Sequence, residues 1–199
     1  MAVMTIGKTE PHPQPLTVDD LADTPDDGRR YELVDGRLDV SPAPVSLHTL
    51  IETRLTIHLG NAAPDELMVL TGPGINFNAE RTHHRIPDLV VIRADDFERP
   101  YLTRPPLLAI EVVSPESVIR DHHTKKREYA EFGIDSYWII SPSSDKPGII
   151  ELRLKDSAYQ EVAQVLGEDA FETDLPFPIK LVPHWLTADG PWRKHIGGD

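Results

Sequence analysis

The chain has 199 residues, 39% of them hydrophobic and 27% charged, which supplies apolar material for one packed domain and argues against wholesale disorder. A net charge of −13 counts against a general nucleic-acid coat, because phosphate contacts depend on Lys and Arg, but it leaves room for a local basic groove or an acidic metal site. The absence of cysteine removes disulfides, thiolate metal sites and a cysteine nucleophile.

Residues 1–15 read as a loose, proline-rich tail and residues 16–199 as one domain. Thr17 is placed to cap a short helix that "DDG" ends. "YELV" and "RLDV" flank Asp35-Gly36, a dipeptide that accepts the positive φ angles of a tight hairpin turn. Leu47, Ile51, Leu55 and Leu59 recur every four residues, which predicts an amphipathic helix capped by Ser46 and stopped by Gly60. Strands are expected at "LMVLT", "GINFN", "RIPDLVVI" and "LLAIEVVS", then a helix over about 120–132 and a strand at "DSYWIIS". "GIIELRL" and "AYQEVAQVL" form a late hairpin around "KDS". The order of elements predicts an α/β domain on a mixed sheet. The start of the chain lacks the basic end and apolar stretch of a signal peptide, and no apolar run approaches the roughly 18–20 residues that span a bilayer. The expectation is a soluble cytoplasmic protein without membrane partners.

Two acids stand out. In "LLAIEVVS" the side chains alternate between faces, so Glu111 shares a face with Ala109 and Val113 while Ile110 and Val112 point the other way. A carboxylate inside an apolar strand must be exposed, paired, protonated or bound to a metal. Asp88 follows Pro87 at the head of another apolar run. Carboxylates on adjacent strands can converge on a hard divalent cation, for which oxygen donors suit Mg²⁺ or Mn²⁺. The plainer readings are an exposed strand end paired with an arginine for Glu111 and a turn residue for Asp88.

This arrangement resembles the PD-(D/E)XK nucleases, with Pro87-Asp88 on one strand and Glu111-Val112-Val113 on the next, except that Val113 stands where that superfamily has lysine. The segments "RRYELVDGRL", "SPAP" before His48, "RIPDLVVI", "LLAIEVVSPES" and "DHHTKKREYAEFGIDSYWIISP", in this order, resemble the Uma-two family of restriction-endonuclease-like proteins over about residues 17–185. The resemblance implies a restriction-endonuclease-like fold, a mixed central β-sheet flanked by helices. It also implies a Mg²⁺- or Mn²⁺-dependent endonuclease that hydrolyses DNA, with Asp88, Glu111 and the Val112 carbonyl on the metal. Glu32 matches an additional metal or water ligand. Lys125 takes over from the missing strand lysine, on one helical stripe with Asp121 and Tyr129. Lys126 and Arg85, with Arg29, Arg30, Arg81 and Arg127, are candidates for a phosphate-binding rim. Cutting both strands of a duplex would favour a homodimer. A catalytically silent module that binds DNA or protein is the alternative, and Val113 and the acidic charge speak for it. His48 is read as a hydrogen-bonded or exposed helix residue, and His83-His84 and His122-His123 as solvated.

Overall fold

The computed structural model describes residues 14–113, 118–143 and 146–198, and of residues 118–122 the backbone. The first turn, a 3-10 helix at Val18–Asp23, begins where the Thr17 N–H and hydroxyl both donate to the Asp20 carboxylate. β1 (Arg30–Val34) and β2 (Arg37–Ser41) then pair antiparallel around Asp35 and Gly36, both at positive φ, as the Asp-Gly signal predicts.

Helix α1 spans Ser46–Ala62, and Ile51, Leu55 and Leu59 of the expected stripe are fully buried. It starts one residue earlier than a Ser46 cap would place it, with Val45 as the capping position, and it runs through Gly60. A glycine inside a helix costs only about 1 kcal/mol against alanine. The true stop is Pro64, whose ring drives Ala63 into the extended region at ψ 134°.

The main sheet has six strands: β3 (Leu67–Thr71), β6 (Leu89–Arg93), β7 (Leu108–Val112), β8 (Ser136–Ser141), β9 (Gly148–Lys155) and β10 (Ala158–Leu166). β4 (Ile75–Asn76) and β5 (His84–Arg85) belong to a second, four-stranded sheet in the order β2-β1-β5-β4. The main sheet runs β10-β9-β8-β7-β6-β3, and all its pairs are antiparallel except β7 with β8. That parallel pair is joined through helix α2 (Val118–Phe132), since parallel neighbours require a crossover. β11 (Phe171–Thr173) and β12 (Ile179–Leu181) form a small hairpin, and short helices α3 (His184–Thr187) and α4 (Trp192–His195) follow. No described helix is long and apolar enough to cross a membrane.

"RIPDLVVI" is therefore not one strand. His84 and Arg85 pair with the N-terminal sheet, and the chain crosses to the main sheet through Ile86-Pro87-Asp88. Pro87 has no N–H for a ladder and suits this break. "GINFN" shrinks to two paired residues for the same reason: its partner strand is only that long.

Period-two alternation sorts β6, β7 and β8 between two cores. Leu89, Val91, Leu108, Ile110, Val112, Trp138 and Ile140 pack with α1, while Val90, Ala109 and Tyr137 pack with Tyr129 of α2. Glu111 and Asp88 fall by the same alternation on the α2 face. Ile110→Ala is expected to cost about 3 kcal/mol, as for other emptied aliphatic core sites. Val45→Ala, at a residue 71% exposed, should change stability by less than about 0.5 kcal/mol. Urea denaturation of both variants checks this.

Candidate active site

The two strand acids meet because of register. Leu89 of β6 faces Ile110 of β7, so one step back Asp88 stands opposite Glu111. The Val112 N–H donates to Asp88 Oδ2 at 2.7 Å, which fixes one oxygen to the neighbouring strand. The other oxygen, Oδ1, takes the Arg30 guanidinium from β1 and lies 3.3 Å from His48 Nε2 on α1. Asp88 is only 1% exposed. Burial alone would raise its pKa, but His48, Arg30 and the Val112 N–H outweigh that and hold it at about 2.

Glu111 is anchored from the helix. Lys125 Nζ donates to its Oε1 at 2.9 Å and the Tyr129 hydroxyl donates to the same oxygen at 2.6 Å. These two residues are four apart on α2 and share a stripe, as the spacing predicts. The Asp121 side chain, the third member of that stripe, lies outside the described residues. Burial raises the Glu111 pKa, with the Asp88 and Glu32 carboxylates adding to it. Lys125 pays a desolvation penalty too, yet Glu111 and Glu32 keep its ammonium charged above the usual lysine range. Val113 is partly buried just past the end of β7, so the only lysine donating to Glu111 among the described residues comes from α2.

Glu32 joins from β1. Its Oε1 accepts the Ile86 N–H at 2.6 Å and lies 3.9 Å from Lys125 Nζ, and its Oε2 accepts Arg85 Nη1 at 3.1 Å. The structure thus gathers Asp88, Glu111, Lys125 and Glu32, with the Val112 backbone between the acids. Lys126 is partly buried one position along α2, and no contact among the described residues joins it to this group. Arg85 does not stand on a rim. It is 3% exposed, and its guanidinium is engaged by both oxygens of Glu128 at 2.8 and 3.1 Å, by Glu32 and by Asp39.

Three residues carry more of the site than their sequence context indicated. Arg30 neutralises Asp88 directly. His48 Nε2 sits 3.3 Å from oxygens of both Asp88 and Glu52, and Glu52 lies one helical turn further along α1. Those carboxylates overcome burial and raise the His48 pKa to about 9. The His48-to-Glu52 spacing was the available signal for Glu52, but an acid on a helix usually faces water. His83 and His84 are not solvated either. His84 is buried against Asn76, and His83 Nε2 lies 3.4 Å from Glu128.

The acids fit a divalent cation. Asp88 and Glu111 offer hard oxygens, and one ligand atom from each of His48, Glu52 and Asp88 lies within 4.8 Å of the others, with His48 having to give up its proton before it could ligate. His48 Nε2 is buried and aligned for a hydrogen bond with neither neighbouring carboxylate.

The sequence profile of the Uma2 family, described as "Putative restriction endonuclease", matches residues 18–188. Among solved structures, the fold is similar to that of "a putative nuclease belonging to DUF820" from Anabaena variabilis, with a TM-score of 0.60 and 15% identity. That likeness covers 80% of this chain and 89% of the other. No curated protein matches the chain.

The Arg85–Glu128 pair yields a stability test. Replacing Glu128 with Ala leaves Arg85 short of its bidentate partner in a buried setting, a loss expected to cost about 3 kcal/mol at neutral pH. Burial alone would raise the Glu128 pKa, but His83 and Arg85 depress it to about 2, so the folded state gains stability above the ordinary glutamate pKa. That gain disappears as pH falls towards 2. Thermal melts from pH 5 downwards should show a shallower decline for Glu128→Ala than for the parent protein.

Proposed function

Because the chain belongs to the Uma2 family of restriction-endonuclease-like proteins, we propose that it is a divalent-metal-dependent nuclease that hydrolyses DNA phosphodiester bonds. The convergence of Asp88, Glu111 and Lys125, with Lys125 Nζ 2.9 Å from Glu111, carries this reading.

Asp88, Glu111 and the Val112 carbonyl would hold Mg²⁺ or Mn²⁺, with Glu32 as an additional ligand for the ion or its water. Such an ion polarises a phosphoryl oxygen and lowers the pKa of a coordinated water. The protein's own residues do the rest. The Val112 N–H pins Asp88 Oδ2, and the Tyr129 hydroxyl pins Glu111 Oε1, so both carboxylates are held in place before substrate arrives. Lys125 stays an ammonium among Glu111 and Glu32. Its role is to orient or activate the attacking water and to offset charge developing on the phosphate. Arg30 balances Asp88 from the other side.

Val113 favours a second reading, a nuclease fold that binds without cutting, since the superfamily's strand lysine is missing. Activity separates the two. Purified protein should cleave DNA, offered both as a circular single strand and as plasmid, with Mn²⁺ or Mg²⁺ and stop when the ion is chelated. Asp88→Asn and Glu111→Gln should abolish cutting, and Lys125→Met should slow it by about 100-fold or more, the scale of a lost positioned charge. Cleavage at the parental rate by either carboxylate variant, once folding is verified by circular dichroism, would sink the assignment.

A further inference from the structure

Beside the acid cluster lies a groove of about 520 Å³ whose lining includes Arg29, Arg30, Gly72, Gly74, His84 and Tyr101. It joins the cluster at two points. Arg30 contacts the Asp88 carboxylate, and the Gly72 N–H donates to the Asp88 carbonyl at 2.9 Å. Arg30 thus stands between the groove and Asp88, so an occupant of the groove and one at Asp88 would share it as a neighbour.

The lining has the parts that recognise one nucleotide. His84 is 1% exposed, and its Nδ1 lies 2.7 Å from Asn76 Oδ1. That oxygen only accepts, so Nδ1 carries the proton and Nε2 is left as an acceptor. Burial depresses the His84 pKa to about 4, which keeps the ring neutral. A neutral acceptor suits an amino or imino N–H on a base edge. Tyr101 packs edge-on against His84, with centroids 4.8 Å apart. Gly74 makes room for both rings. A Cβ there would lie 2.6 Å from His84 Cε1 and 2.7 Å from Tyr101 Cδ1. Arg29, with a side chain 59% exposed and its Nε 3.4 Å from Asp27, stands at the edge, where a phosphate would compete with that carboxylate for it.

In a duplex the face of each base is covered by its neighbours, so an aromatic platform reads only a base that is out of the stack. We propose that this groove is a subsite for one unpaired nucleotide adjoining the scissile phosphate, and that the substrate is single-stranded DNA. The proposal rests on the nuclease reading for its "scissile phosphate", but its binding step stands apart from cleavage.

Fluorescence anisotropy with a labelled single-stranded oligonucleotide and its blunt duplex, in EDTA and low salt, tests it. The single strand should bind at least about tenfold more tightly than the duplex, and Tyr101→Leu should lose about tenfold in single-strand affinity, the worth of one base–aromatic stack. Tyr101→Phe should keep most of it. Arg29→Ala, at an exposed side chain, serves as a second variant should Tyr101→Leu fold poorly, and should weaken binding and flatten its salt dependence. Equal affinity for strand and duplex, or an unchanged Kd in the folded variants, overturns the subsite. Strand preference without metal-dependent cleavage supports the subsite and counts against the nuclease reading. Metal-dependent cleavage of the single strand by Tyr101→Leu at the parental rate does the reverse.

Discussion

Three carboxylates, Glu32, Asp88 and Glu111, are buried together, and the cluster holds because cations from three elements offset the cost of taking them out of water. Arg30 comes from β1, His48 from α1 and Lys125 from α2. Removing any one partner would leave a buried charge without compensation, which is far more destabilising than never having buried the pair. A fold optimised for stability alone would fill these positions with aliphatic side chains. Buried charges of this kind are where the proposed nuclease reading draws its physical support.

The crossing at Ile86-Pro87-Asp88 gives that electrostatic arrangement its geometry. Arg85 belongs to one sheet and Leu89 to the other, and Asp88 sits where the backbone has left the first ladder and just joined the second. Its carboxylate can therefore take a strand N–H from β7 on one oxygen and side chains from β1 and α1 on the other. Glu32 reinforces the crossing by accepting the Ile86 N–H, a donor with no strand partner of its own. The same glutamate takes Arg85, so the hairpin, the crossing and α2 through Glu128 are tied together by one chain of ion pairs.

What could be read in the sequence was local or periodic. Asp35-Gly36 announces its turn, α1 shows its stripe, and alternation alone puts Glu111 and Ala109 on one face. Lys125 and Tyr129 share a helical stripe by spacing. The break within "RIPDLVVI" was not legible, because hydropathy continues through Pro87 while the hydrogen-bond partners change. Nor was the end of α1 at Ala62, because Gly60 suggested an earlier stop while Pro64 sets the true one. Arg85 looked like a surface cation because its partners Glu32 and Glu128 lie 53 and 43 residues away. Glu52 is a similar case: one turn from His48 in sequence, it gains meaning only once α1 is laid over Asp88.

Lys125 reaches Glu111 from α2 and not from the strand itself, and this has a consequence for when the cluster comes into being. A lysine two residues from the glutamate would accompany it in any extended fragment. Here the ammonium is 14 residues away and arrives only when α2 docks on the sheet, while Arg30 must close a loop of 58 residues to reach Asp88. A nascent or partly unfolded chain thus carries every one of these side chains and none of their arrangement. The charge cluster therefore exists only in the assembled fold, and undocking α2 alone is enough to take Lys125 away from Glu111.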